Sequence, residues 1–263
     1  CLLPGGRAMT CPSLSTDMTE ISQKVRTAAM KPFSILAAVL LCMGLGRTFD
    51  LQAETEQNNG LWMMKASQGV LGSNDSPYRW WLDAHLRYSD DANDFEQSIF
   101  RPGFGYALPK NHTLWAGYGW IANSPEMGDT FHEHRFWQQH SWKTKVGSFG
   151  LASRSRLEQR FREGFQDDTG WRFRQLIKLT RSILDDGPLY WSLWDEVFFN
   201  LNDTDWGAQS GLDRNRIFAG IGWQLKSMPY LKGEVGYLNQ LIDRPSGINR
   251  MDHLLSLNLF LNF

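Results

Sequence analysis

After Ala53, apolar and polar residues alternate with a period of two, in segments divided by clusters of Gly, Asn, Asp and Pro. This is the pattern of strands with two different faces, and no 3.6-residue helical period is sustained anywhere in that stretch. The alternation predicts ten strands: Tyr78–Ser89, Phe95–Leu108, His112–Ala122, His132–Lys143, Val146–Arg162, Gly170–Leu184, Leu189–Leu201, Arg214–Leu225, Tyr230–Ile242 and Asp252–Phe263. Most are around the roughly 9 to 11 residues of a tilted membrane strand, and some extend beyond. Counted back from Asp243, long and short connections alternate, as outer loops and periplasmic turns do. The final segment, DHLLSLNLFLNF, puts Leu255, Leu257, Leu259 and Leu261 on one face with Phe263. Outer-membrane barrels typically finish in this way.

Ahead of the strands, Phe33–Leu45 is apolar but too short for a membrane helix, which needs about 20 residues. It follows Met30 and Lys31 and leads to Leu51-Gln52-Ala53, the layout of a secretory signal peptide cleaved after Ala53. Residues 1–53 are assigned to that leader, with Met30 as its start. Cys1, Cys11 and Cys42 all fall within it, so the remaining chain has neither a disulfide framework nor a thiolate metal site. Leu41 stands where a lipoprotein would need a small residue before Cys42. Residues 54–77 are an extension, a plug or an extra strand, and residues 78–263 form the barrel. If Leu61-Trp62-Met63-Met64 is a strand with a further partner, the count becomes twelve.

Within Val146–Arg162, Phe149, Leu151, Leu157 and Phe161 share one face, while Arg154, Arg156, Glu158, Arg160 and Arg162 share the other. The next segments repeat the contrast with Arg172, Arg174 and Lys178, then Glu196, then Arg214 and Arg216. Parity alone does not say which face is inside, since a soluble barrel buries its apolar set and a membrane barrel turns it to lipid. The leader, Phe263, the loop rhythm and the tryptophans near strand ends (Trp80, Trp120, Trp142, Trp171, Trp223) favour lipid outside. The expected fold is therefore all-β, an antiparallel up-and-down transmembrane barrel. Its lumen would carry Arg154, Arg156, Arg160, Arg172, Arg174, Arg214 and Arg216 against Glu158 and Glu196. Either the set is a paired ladder that stiffens a closed barrel, or it is an electropositive lumen that passes or holds small anions. Gly220, Gly222 and Gly236 on the polar face would relieve crowding where strands curve.

The 263 residues carry a formal net charge of −1, which gives no electrostatic argument for nucleic acid. Twelve Trp and sixteen Phe are many for a soluble protein of this length and suit a barrel exterior. No Walker motif, nucleophile elbow or zinc spacing is present, and no cofactor or metal is expected. Gly103-Phe104-Gly105 and Gly117-Tyr118-Gly119 open no helix and read as strand glycines. His132-Glu133-His134 lacks a third ligand and reads as a solvated loop edge. His85 reads as a hydrogen-bonding lumen residue. His253 has the apolar parity of its strand and should sit near the outer rim, where a lipid hydrolase could hold a catalytic His. Ser256, however, is on the opposite face, and several strands separate Ser153 and Ser155 from it.

Arg156-Leu157-Glu158-Gln159-Arg160-Phe161, Glu196-Val197-Phe198, Asn215-Arg216-Ile217-Phe218-Ala219-Gly220, Gly236-Tyr237 and His253, taken in order, resemble the bacterial domain-of-unknown-function family 2490. The resemblance covers most of the chain after residue 53. It implies an outer-membrane barrel and no particular substrate. The expected role is non-enzymatic, an envelope structure or a narrow anion-preferring channel in the bacterial outer membrane. The alternatives are an outer-membrane lipid or ester hydrolase using His253, and a soluble periplasmic ligand-binding barrel. The expected partners are outer-membrane lipid, small anionic solutes, and the barrel-assembly machinery, which would recognise Leu257, Leu259, Leu261 and Phe263.

Overall fold

The alternating segments become the staves of a closed barrel in the computed structural model, which describes residues 55–125, 128–165, 168–185, 187–244 and 248–263. Eleven strands form it: β1 Thr55–Val70, β2 Tyr78–Ser89, β3 Asp94–Leu108, β4 His112–Asn123, β5 Phe131–Val146, β6 Phe149–Arg162, β7 Gly170–Ser182, β8 Leu189–Asn200, β9 Gly211–Trp223, β10 Leu231–Ile242 and β11 Asn249–Asn262. Successive strands pair antiparallel, and only a short 3-10 turn, Asp90–Ala92, interrupts the all-β pattern among the described residues. The leader expected over 1–53 lies outside the described residues.

The expected counts of ten and twelve are both corrected. Leu61-Trp62-Met63-Met64 belongs to a full strand, β1, and its partner is the already counted β11, paired in parallel from Thr55 with Asn249 to Gln68 with Asn262. In an up-and-down chain, strands one and eleven point the same way, so closure of an odd barrel has to be parallel. The barrel is thus mixed, and it begins at Thr55 rather than Tyr78. The alternation signal missed β1 because its start, Thr55-Glu56-Gln57-Asn58-Asn59, is polar on both faces, while the apolar run that follows does not alternate.

One turn also moves. The connection expected at Thr144–Lys145 lies at Gly147-Ser148, where Gly147 takes φ +60, a left-handed conformation that glycine adopts without a Cβ clash. The alternation of long and short connections holds for 147–148 against 163–169 but fails near the C-terminus, where 224–230 is no shorter than 243–248.

The two faces separate as the parity predicts, with the apolar set outward. Phe104 and Leu255 are 51% and 52% exposed, whereas Asp83, Arg156, Glu158 and Asp252 are each 1% exposed. The interior is not purely charged. Trp62, Phe218, Leu238 and Leu254 pack together inside it, against Trp194, and Trp115 and Trp137 are buried on the inward face of β4 and β5. Glycine makes room for the indoles. A Cβ on Gly117 would lie 2.3 Å from the Trp137 ring and one on Gly105 would lie 2.4 Å from Trp115. Gly220 and Gly236, paired across β9 and β10, similarly clear space for the Phe218 ring. These glycines accommodate large inward side chains, a more specific reason than strand curvature.

Candidate functional site, an arginine-lined cavity

Inward parity on β6, β7, β8 and β9 brings charged side chains of neighbouring and next-neighbouring strands to hydrogen-bonding distance. Arg154 Nη2 donates to Glu196 Oε1 at 2.7 Å, and Arg174 Nη2 reaches the same oxygen at 2.7 Å. Arg174 Nη1 also donates to Glu158 Oε1 at 2.6 Å, and Arg172 Nη2 to Glu158 Oε2 at 2.6 Å. Arg172 then approaches Asp213 at 3.5 Å, and Arg214 Nε donates to Asp213 at 2.6 Å. The result is a continuous chain of alternating charges, Arg154-Glu196-Arg174-Glu158-Arg172-Asp213-Arg214, across four strands. Each internal member has partners on two sides, the condition under which buried charge is tolerated.

The sequence under-counted the acids. Glu133 is not a solvated loop edge. It is a buried inward residue of β5 whose carboxylate receives Arg135 Nε at 2.6 Å and Arg160 Nε at 2.6 Å. On the opposite wall Arg101 forks onto Asp83, Nε to Oδ1 at 2.8 Å and Nη2 to Oδ2 at 2.9 Å, while His85 Nε2 lies 2.7 Å from Arg101. Toward the turn-bearing end, Lys178 and Tyr190 both reach Glu234, at 2.5 and 3.1 Å. Asp83 and Glu133 each stand as a single acid in their strands, and the cross-strand register shows which arginines they serve.

All nine residues assigned to the lumen ladder point inward: Arg154, Arg156, Glu158, Arg160, Arg172, Arg174, Glu196, Arg214 and Arg216. Two of them lack close carboxylates. Arg156 is fully buried, with Nε on Gln139 at 2.8 Å, its guanidinium over Trp137 at 4.4 Å, and Glu158 no nearer than 3.9 Å. Arg216 places Nε on Gln240 Oε1 at 2.7 Å and lies over both Phe198, at 4.5 Å, and Trp62, at 4.8 Å. Arg87, which the sequence reading passed over, shares that Trp62 ring at 3.9 Å and donates to Gln97 at 2.7 Å.

Arg87 and Arg216, with Arg172, Arg174 and Arg214 of the ladder, help to line a cavity of about 280 Å³. Nine arginines line it, with Glu133 and Asp213 as the lining carboxylates and Phe198 among its apolar surfaces. Trp206, Gly207 and Ala208 of the β8–β9 connection also contribute, placing the cavity at the end of the barrel that carries connections 124–130, 163–169 and 201–210. That connection is fastened down: Trp206 Nε1 donates to the Asp168 carbonyl at 3.0 Å, and the Trp206 carbonyl accepts from Arg162 Nη1 at 3.2 Å. A second cavity of about 620 Å³ adjoins the first, sharing Gln97, Asn123 and Phe131 with it.

The other candidates fall elsewhere. His132 and His134 face outward, His134 Nδ1 lying 2.5 Å from the Tyr118 hydroxyl, and no group of three potential metal ligands occurs among the described residues. His253 faces outward between the Tyr237 hydroxyl at 2.5 Å and Gln57 Oε1 at 2.6 Å. Ser256 is buried on the inward face, and Ser153 and Ser155 stand on β6, with four strands between it and β11. Leu257, Leu259, Leu261 and Phe263 have outward parity, with Phe263 stacked near Trp80 and Tyr230 at ring separations of 6.1 and 5.9 Å.

Residues 59–252 match the profile of a family described as protein of unknown function, DUF2490. An uncharacterized protein of Methylorubrum extorquens is 31% identical over 215 residues, covering 80% of this chain and 90% of its own length. No solved structure matches.

Proposed function

We propose that this chain, which belongs to the DUF2490 family of proteins of unknown function, is an outer-membrane β-barrel with a structural role in the envelope and an anion-holding cavity at one end. The observation that carries the reading is the inversion of burial. Charged residues such as Glu158 and Arg174 are withdrawn from solvent while Phe104, Phe136, Trp191 and Leu255 form the outer surface. Water gives no reason to expose such a continuous apolar wall, and hydrocarbon does. The parallel seam removes the remaining sheet edge, so the backbone groups of all eleven strands have neighbours on both sides.

The paired ladder favours the stiffening role over free conduction. Trp62, Phe218, Leu238 and Leu254 occupy the interior, with Arg87 and Arg216 against the Trp62 ring, and eleven strands fall well short of the sixteen or so that enclose an open aqueous channel. Anions entering from the loop-bearing end would be retained in the cavity.

The test is fractionation of the producing cells followed by electrophoresis of the outer-membrane fraction with and without boiling. A band whose mobility changes only on heating is expected. A protein found in the soluble fraction, with one mobility, would overturn the membrane reading. Planar-bilayer recording then separates the two roles, since large unitary conductance would contradict a retained anion.

A further inference from the structure

We infer that the cavity is a binding site for a phosphate-class dianion, held by Arg87, Arg216 and Arg162. The inference deepens the anion-holding part of the function proposed above and is independent of whether lipid surrounds the wall.

The argument begins with Arg87 and Arg216. Their guanidinium carbons lie 3.9 and 4.8 Å from the centre of the same Trp62 ring, so two like charges are held as neighbours on one indole. Neither has a carboxylate within 4 Å among the described residues, their polar partners there being the neutral Gln97 and Gln240. Arg162 is in the same position, donating to the Trp206 carbonyl and lying over Phe131 at 4.0 Å. Nε of Arg87 and Nε of Arg162 are buried with no hydrogen-bond acceptor among the described residues. Burying unpaired guanidinium is costly unless something supplies the missing negative charge. The six other lining arginines are already engaged by Asp83, Glu133, Glu158, Glu196 and Asp213. Among the described residues, Glu133 and Asp213 are the lining carboxylates and Asp83, Glu158 and Glu196 stand behind them, so nine lining arginines leave the cavity wall with a surplus of positive charge.

The three free cations come from β2, β6 and β9, so their donors approach from different walls. A tetrahedral, multiply charged oxyanion accepts from several directions and pairs with guanidinium forks, whereas a planar carboxylate engages one fork. The cavity volume is at the small end for ligand sites, which fits inorganic phosphate or a compact phosphate monoester. Gln97 and Asn123, hydrogen-bonded to each other and lining both cavities, add neutral amide groups to the wall. The same headgroup chemistry arises from a free phosphate or from a phosphorylated lipid, and the experiment separates the two.

The folded barrel in detergent is titrated by calorimetry, at constant ionic strength, with inorganic phosphate, with glycerol 3-phosphate and with phosphatidic acid in mixed micelles. Saturable binding is expected, weakened by at least about tenfold in R87Q/R216Q, since each lost charge-assisted contact carries roughly that factor. The control K110Q/R181Q removes two exposed cations away from the cavity and is expected to bind like the parent. Binding of the soluble phosphates assigns a free ligand, and binding of phosphatidic acid alone assigns a lipid headgroup. Retained heat-dependent mobility certifies that each variant is folded; should R87Q/R216Q fail this, R216Q alone carries the same expectation with a smaller loss. Absence of saturable binding by all three probes overturns the inference, as does binding that the cavity variants leave unchanged or that the control loses equally. A soluble barrel that nevertheless binds phosphate would sink the membrane reading and leave this site standing.

Discussion

The backbone amide of Phe263 donates to the carbonyl of Gln68 at 2.8 Å, continuing the parallel seam beyond the end of β11. The seam makes β1 a wall strand. A truncation starting at Pro77 removes it and leaves β2 and β11 with unpaired edges on strands too separated to meet without a new closure. Loss of the heat-dependent gel shift is expected for that truncation. A ten-strand barrel that folds without residues 55–70 would keep the shift.

Glu158 serves Arg172 and Arg174 at once and is 1% exposed, so Glu158→Gln leaves two buried guanidiniums short of charge. Breaking a buried pair by removing one partner costs about 3–5 kcal/mol, far more than an exposed ion pair. Urea unfolding of the detergent-reconstituted variant should show a loss of that size. Arg244→Gln, which removes only the surface contact to Glu56, should cost under about 1 kcal/mol.

Leu193 is outward and 47% exposed on β8. If hydrocarbon faces it, Leu193→Arg costs on the order of 2–4 kcal/mol near the bilayer centre. Were water the neighbour, the change would be within about 0.5 kcal/mol, as for an ordinary surface site. Folding equilibria in lipid vesicles decide between these values.

Gly117 has no room for a side chain: its Cβ would sit 2.3 Å from the Trp137 ring and 2.4 Å from the Pro102 carbonyl oxygen. Gly117→Val should therefore destabilise the barrel by about 1–3 kcal/mol or more through overpacking. Combining it with Trp137→Ala should recover part of the loss, measured as a coupling in a double-mutant cycle. Strict additivity would mean that the ring and the glycine are not matched.

The alternation made ten of the strands and both faces readable because a two-residue period assigns every side chain without knowledge of the partner strand. Arg154, Arg172, Arg174 and Glu196 were visible for that reason. Glu133 was not, because a lone acid between two histidines looks like a turn until the register sets Arg135 opposite Arg160. Arg87 was lost in the same way, since its significance comes from sharing Trp62 with a residue 129 positions away. The inward tryptophans defeated the simple rule that indoles decorate the exterior. Trp137 needs Gly103 and Gly117 on two other strands, a match that becomes evident only once β3, β4 and β5 are side by side.

The parallel pairing of β1 with β11 has a consequence for sidedness. Thr55 lies beside Asn249 at one rim, and Phe263 lies at the other. If the barrel spans a membrane as proposed, an epitope inserted just ahead of Thr55 and one appended to Phe263 would report from its opposite faces, so antibody added to intact cells should reach one and not the other.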